Sequence, residues 1–519
     1  MGKAILINPS YFRTYGSNEG GIAFPVYPIL SLSAIGGALK ARGHEIKILD
    51  LSYRQYDPQM IRELVEREKP DAVGITATTP LANQLRDISY VVKDVSKDIF
   101  TIGGGAHPSA LPFETMRETA RLDAVATGEA DFAMADVLDG KDLASIPGLY
   151  WRDGDDIRVN MPGGLLENLD DLPMPAWEDY PPDCNEKMTR IIARHSPVST
   201  IEFSRGCVFQ CDFCGSKNTM GLGYRKKSPE RCAEEIAKLQ SLGVREAVLV
   251  DDIFTSDNEW AALVCEAIIR KGTNVAWTCT NGIRVDSANP ELFALMKRAG
   301  CYRVYFGFES GNEDVLKAFG KGGRATLDKG VEAVEMARRA GLEPNGFFMV
   351  GLTGDTEASM QDTIDYAKKV RLDTMKCGMC TPYPGTPMFR QLRKEGRVKT
   401  FDWDQYTVYN KAEEIYDHPT LGWDTIKRFF KKFYAEAYFK NPPYMWRRLK
   451  FMVKNHEIFW NVVYTLRFWL MIWGREKAPE HENYAFEHEW RKLDTKPDAE
   501  LRDYAVPRAK SGVSRRQMM

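Results

Sequence analysis

The chain has 519 residues and a formal charge of −2, with 70 Lys and Arg against 72 Asp and Glu. That length exceeds one ordinary core and predicts two or three domains, while the charge balance gives no general electrostatic case for nucleic-acid binding. Ten cysteines, clustered rather than evenly paired, fit a reducing compartment better than a disulfide framework. The N-terminus MGKAILINPS reads as a short strand and not as a charged, then apolar, secretion signal, so the cytoplasm is the expected location.

Residues 1–140 alternate strand and helix patterns: KAILINP, a helix over Tyr27–Arg42, HEIKILDL, a helix over Pro58–Lys69, DAVGITATT, a helix over Leu81–Ser96, DIFTIGGGAHP and DAVATGE. Short apolar runs with helices between them predict an α/β domain with a doubly wound parallel sheet. Ligands of such sheets sit at the carboxyl ends of strands. Here those ends carry Asn8-Pro9, Thr76–Pro80, Gly103–Pro108 and Gly128-Glu129, small enough for a large flat ligand to approach the backbone. The run GGGAHP is not G-x-G-x-x-G opening a helix, which disfavours a dinucleotide.

A Pro- and Asp-rich connector over 141–195 contains LENLDDLPMPAWEDYPP and the isolated Cys184. Six further βα units are expected over 196–400, with strands at Val198–Phe203, Glu246–Val250, Ala276–Asn281, Arg303–Glu309, Glu343–Val350 and Thr374–Cys380. Residues 401–519 read as helical, then frayed. Within them Ile458–Trp473 is apolar but only about 16 residues long, short of the roughly 20 a spanning helix needs. Its tryptophans and basic flanks suit either a helix lying on a membrane or one packed on the protein.

Chemistry concentrates in SRGCVFQCDFC. Cys207, Cys211 and Cys214 supply three thiols at C-x3-C-x2-C, enough for three corners of an iron–sulfur cube and too few for a closed structural site. His195 lies upstream in a polar stretch, and Cys232 sits at a buried helical position. Zinc and three unrelated core cysteines are the competing readings. Cys377 and Cys380 form a second C-x2-C, but residues three apart in a strand face opposite ways, so joint metal binding would need a bend. Cys265, Cys279 and Cys301 read as core.

The trio, with Phe213 before its last cysteine, resembles the signature of the radical S-adenosylmethionine (SAM) enzymes. The strand ends LVDDIFTSD, YFGFESGNEDVL, NGFFMVGLTGDT and TPYPGTPMF follow in the order of its cobalamin-binding branch. The GG-x-HP and TGE elements before them are similar to that branch's N-terminal domain. The resemblance implies a partial (β/α)6 barrel, a [4Fe–4S] cluster on Cys207, Cys211 and Cys214, SAM on its open iron, and cobalamin above. It assigns Phe213, Asp251, Asp252, Glu309, Ser310 and Gly351 to SAM, with Asp251 and Asp252 serving equally as helix caps. For cobalamin it points to Thr76, Gly104, His107, Gly128 and Glu129, with His107 as readily a turn histidine. The D-x-H-x-x-G motif that gives cobalt a histidine is missing, and His44 merely starts a strand. Asp251-Asp252 replaces the usual Gly-Gly-Glu, and Thr353 and Asp355 depart from Leu-Pro-Gly-Glu-Thr.

Within the branch the chain looks similar to the group holding the anaerobic magnesium-protoporphyrin monomethyl ester cyclase and carbon methyltransferases. Methyl transfer to an unactivated carbon of a large, apolar small molecule is the favoured expectation, and oxidative cyclisation the alternative. A non-catalytic cobalamin sensor is disfavoured by the intact cysteine trio. A methylthiotransferase is disfavoured because residues 1–183 contain no cysteine. A reductant such as flavodoxin or ferredoxin is implied, and 458–473 offers a possible peripheral membrane contact.

Overall fold

The computed structural model describes residues 1–14, 28–52, 54–181, 193–321, 325–407 and 412–455, with Ile458, Phe459, Val462 and Leu466 beyond them. Cys184 and most of the 458–473 stretch therefore lie outside the described residues. No helix among the described residues is long and apolar enough to cross a membrane.

Short runs of Ile, Leu, Val and Ala make the first sheet: β1 (Lys3–Asn8), β2 (Glu45–Asp50), β3 (Ala72–Thr76), β4 (Phe100–Gly104) and β5 (Ala124–Ala126). Their order is β2-β1-β3-β4-β5, all parallel, so the direction of winding switches between β1 and β3. Helices at Leu30–Ala41, Pro58–Glu68 and Ala82–Val95 make the first three crossovers. The second is delimited by its sequence: Asp57 caps the N–H groups of Gln59 and Met60, Pro58 opens the helix, and Lys69 closes it in the left-handed region. Helices cover both faces, giving the sheet two apolar cores.

The sheet does not stop at 140. β6 (Leu149–Asp153) and β7 (Asp156–Val159) add an antiparallel hairpin beside β5, within the stretch expected as a connector. Beyond it, Trp177 inserts into the barrel core and donates to the Thr200 carbonyl at 3.1 Å.

The second domain has six parallel strands in sequence order: β8 (Val198–Ile201), β11 (Glu246–Leu249), β12 (Ala276–Ile283), β13 (Cys301–Glu309), β14 (Glu343–Val350) and β15 (Thr374–Met379). Between β8 and β11 lies a ribbon of β9 (Ser204–Arg205) against β10 (Arg225–Lys226). Ser228, Asp257, Asn289, Thr326 and Thr356 cap the outer helices, each side chain accepting from a first-turn N–H. Trp277, Phe254, Phe306 and Phe348 fill the core.

At the amino ends of the strands, Glu246 accepts from the His195 N–H at 2.9 Å and the Tyr302 hydroxyl at 2.7 Å, while Arg303 pairs with Glu343 at 3.1 Å. His195 thus belongs to the stabilising end of the barrel, opposite the cysteine loop. Helix Trp423–Phe433 continues the wall beyond β15, where the Tyr434 hydroxyl bonds both the N–H and the carbonyl of Cys377.

Candidate active site

The cysteine loop is held at its base by the β9–β10 ribbon. Between β9 and the first cysteine, Gly206 has φ +84°, and a Cβ there would run into the Gly223 carbonyl. Only glycine fits this crossing. The Cys214 N–H closes a turn on the Cys211 carbonyl at 3.1 Å. Asp212 donates to the Phe319 carbonyl and accepts from the Met388 N–H, each at 3.1 Å, so the β13 and β15 loops grip the cysteine loop from two sides. Phe213 packs edge-on against Phe319, ring centres 5.5 Å apart.

All three thiols are partly exposed. Burial, followed by Asp252 and the two neighbouring thiols, pushes Cys207 up to about 12; burial likewise pushes Cys211 up to about 11. Thiolates in such a loop need a cation, which is the donor chemistry a metal cluster supplies. No three Cys, His, Asp or Glu side chains among the described residues converge on a single metal position. A cube puts each sulfur on a different iron, so three cluster thiols need not share one point. Two cations near Cys211 counter the rise. Lys321 pairs with Glu309 at 2.6 Å, and Arg284 stacks 3.6 Å over the Phe209 ring within the loop. Sequence reading had no signal for Lys321. Arg284 was findable only by its place just past β12.

The expected SAM residues divide. Asp252 accepts from the Gly206 N–H at 3.0 Å at the root of the loop, and burial pushes its carboxyl up to about 6. A buried carboxylate of this kind gains from an incoming ammonium. Asp251 points the other way, taking the Phe203 N–H at 2.7 Å and the Ser204 hydroxyl at 2.5 Å, and so ties the end of β8 to β11. Glu309 has φ +59°, an uncommon conformation for a side chain at a strand end. Ser310 is turned into the wall, its hydroxyl accepting from the Asn312 N–H at 3.1 Å and meeting Thr363 at 3.3 Å. At Gly351 an added Cβ would lie 3.1 Å from Ile426, which leaves the backbone approached by a C-terminal helix.

Burial pushes Asp251 up to about 8, against the roughly 4 of an exposed aspartate. The folded state thus keeps a proton that the unfolded chain releases near pH 4. Stability from this group is full below that pH and is lost as pH rises through about 8. The melting temperature of cofactor-free protein should therefore fall from about pH 6 to about pH 9, with Asp251→Asn showing a shallower fall. An identical slope in the variant would contradict this assignment.

On the N-terminal side, Thr76, Gly104 and Gly128 line adjacent strand ends. A Cβ on Gly104 or Gly128 would meet nothing closer than 3.8 Å, whereas one on Gly105 would strike Thr76 and Ala77 at 2.8 Å. This small-residue edge fits a broad, flat group such as a corrin. Two of the expected contacts have other tasks. Glu129 is bound by Arg225 at 2.6 Å and by the Leu166 N–H at 3.0 Å. His107 is buried beneath Trp403, with ring centres 4.7 Å apart, and burial pushes it down to about 3, so it is a neutral imidazole covered by an indole. Its Nδ1 has no hydrogen-bond partner among the described residues.

The two carboxyl edges face each other. Helix Ala106–Ala110, after β4, packs on helix Ser216–Met220, after the cysteines. A Cβ on Gly385 of the β15 loop would touch Ala110 at 2.8 Å and collide with Asn218. Asp402 bonds Asn83 at 3.1 Å, and Trp403 bonds Glu118 at 2.8 Å, closing the far side. A groove of about 530 Å³ lies elsewhere, along edge strand β2, and holds none of the candidate residues.

The family model of the radical SAM superfamily matches residues 201–367, and that of the B12-binding domain matches 23–138. An uncharacterized methyltransferase of Pyrococcus horikoshii is 30% identical over 418 residues, covering 80% of this chain and 88% of that protein. The chain belongs to the cobalamin-binding radical SAM enzymes. Its cofactors are a [4Fe–4S] cluster, SAM and cobalamin. The anaerobic magnesium-protoporphyrin IX monomethyl ester cyclase of Rubrivivax gelatinosus is 24% identical, covering 85% of this enzyme and 79% of its own length. In fold, the enzyme is similar to the radical SAM methyltransferase TsrM of Kitasatospora setae, solved with cobalamin and a [4Fe–4S] cluster. That match has TM-score 0.65 and 16% identity over 84% of this chain and 88% of that one.

The two cysteines of the second C-x2-C lie in different apolar clusters. Cys377 sits in the main barrel core. Cys380 packs in a separate cluster with its sulfur 3.5 Å from that of Met388. Cys265, Cys279 and Cys301 are buried core residues.

Proposed function

We propose that the enzyme transfers a methyl group to an unactivated carbon of a large, apolar small molecule at the mouth between its two domains. The observation that carries this reading is the opposition of the two carboxyl edges, with the cysteine loop on one and the glycine-lined strand ends on the other. Bound together, the cofactors supply a 5′-deoxyadenosyl radical for hydrogen abstraction and a methyl group for the resulting carbon. Per turnover, the substrate, two SAM and two electrons give methylated product, 5′-deoxyadenosine, methionine and S-adenosylhomocysteine. The electrons come from a low-potential carrier such as flavodoxin or ferredoxin.

In this reading Cys207, Cys211 and Cys214 hold the cluster. Asp252 takes the SAM ammonium, and Lys321 and Arg284 face its carboxylate with positive charge. Glu309 accepts from the ribose hydroxyls, Phe213 and Gly351 bound the adenine, and Thr76, Gly104 and Gly128 seat the corrin. Lys321→Met should raise KM for SAM roughly tenfold while the cluster still assembles, since one charge-assisted contact accounts for a change of that size. An unchanged KM would remove Lys321 from the site.

The exposed residues Met445, Trp446, Leu449 and Val453, on a helix that also carries Arg447, Lys450 and Lys454, are compatible with a peripheral contact to an apolar surface. The whole reading is tested by anaerobic reconstitution with added cobalamin, followed by deoxyadenosine assays with tetrapyrroles and lipids. A corrin spectrum that survives gel filtration, with turnover stimulated by one of these classes, is the expected result. Protein that retains no corrin would end the proposal.

A further inference from the structure

Two arginines at the root of the cysteine loop reach across to the other domain. Arg205, two residues before Cys207, forks onto Asp131 at 2.7 and 2.9 Å, and its Nε donates to Glu202 at 2.7 Å. Glu129 lies 3.5 Å from the same guanidinium. Arg225, its partner in the ribbon, donates to Glu129 at 2.6 Å and to the carbonyls of Leu166 and Met220 at 2.9 and 2.8 Å. None of these five side chains is more than 11% exposed. Glu129 and Asp131 follow Gly128 just past β5, Glu202 comes directly after β8, and Met220 closes the helix after the cysteines. The network thus joins the strand end proposed for the corrin to both flanks of the cysteine loop.

We propose that Arg205 and Arg225, with Glu129 and Asp131, form an inter-domain clamp that fixes the spacing between the corrin edge and the cluster loop. The members are positioning residues and touch neither cofactor. The inference rests on the methyl-transfer reading, because SAM cleavage needs the barrel alone, whereas moving a methyl from the SAM sulfur to reduced cobalamin, with release of S-adenosylhomocysteine, needs both edges in register. Arginine suits the task because its planar fork fixes direction as well as distance, which lysine's point charge does not. Simple destabilisation would lower the active fraction and reduce both products together. A loosened clamp lowers one relative to the other.

The test uses Arg225→Met, Arg225→Lys and the near-isosteric Asp131→Asn, which guards against a methionine variant that fails to fold. Each is supplied with cobalamin, SAM and titanium(III) citrate, without substrate. Deoxyadenosine formation should stay within about twofold of wild type, while S-adenosylhomocysteine per deoxyadenosine falls roughly tenfold in Arg225→Met and recovers in part in Arg225→Lys. In cofactor-free protein, hydrogen exchange should quicken together at 128–131 and 204–206. Parallel loss of both products, or faster exchange on one side only, would overturn the clamp. Wild-type enzyme that makes deoxyadenosine but no S-adenosylhomocysteine would sink the methyl-transfer reading instead, and the exchange data would still decide the clamp.

Discussion

Replacing Cys207 with alanine should leave a folded protein that builds no stable [4Fe–4S] cluster and forms no 5′-deoxyadenosine. A cube already open at one iron has only three protein ligands, and losing a second attachment exposes two irons to solvent and chelators. Among the described residues there is no local substitute. His195 lies at the amino ends of the strands, Cys232 is on the buried face of helix Pro229–Ser241, Cys377 sits in the same barrel core, and Cys380 sits in a separate apolar cluster. The contrast is therefore sharp: Cys377→Ala and Cys380→Ala should keep full iron content and the cluster's visible charge-transfer absorbance. Iron analysis and deoxyadenosine chromatography on anaerobically reconstituted proteins provide the check. Cluster-dependent SAM cleavage by Cys207→Ala would contradict the assignment.

Gly206→Ala should be nearly as damaging by a different route. A side chain in the left-handed region costs about 1–2 kcal/mol. Here the new methyl also collides with the Gly223 carbonyl and would lie 3.3 Å from that of Met220. Relief means parting β9 from β10, which disturbs the Arg205 and Arg225 ion pairs. Stranding one partner of a buried pair costs about 3–5 kcal/mol. Together these put the variant beyond about 4 kcal/mol of destabilisation, in the class of single changes with a named structural cause. Urea unfolding with iron content measured alongside would show it. A variant with wild-type unfolding and full iron would mean that the loop crosses the ribbon differently.

Much of this architecture was legible because period and punctuation agree. Runs such as AILIN and AVGIT, separated by amphipathic helices, permit little besides a parallel sheet, and all six barrel strands begin within two residues of expectation. The cysteine spacing and the order of the strand-end motifs carried the cofactors. The β6–β7 hairpin was missed because both strands are short and β7, at the sheet edge, is exposed and half polar, although the Asp-Gly at 153–154 is a hairpin signal.

Side-chain roles within the site were less legible. Asp251 and Asp252 are neighbours whose side chains diverge, one to the β8 end and the other to the root of the loop, and no sequence pattern says which is which. Glu129 reads as a ligand from its motif alone. Its partner Arg225 is 96 residues away, and only the fold brings the two together. The same holds for His107 and Trp403, which meet through the region after the barrel.

Cobalamin and cluster chemistry meeting in one mouth can be tested before any substrate is known. Reconstituted enzyme is incubated anaerobically with methyl-deuterated SAM and a low-potential reductant, with and without cobalamin. Deoxyadenosine is expected in both cases and S-adenosylhomocysteine only with cobalamin, with the deuterated methyl recovered on the corrin. Deoxyadenosine without any S-adenosylhomocysteine, from protein that holds cobalamin, would contradict methyl transfer and favour a reaction of the cyclase type.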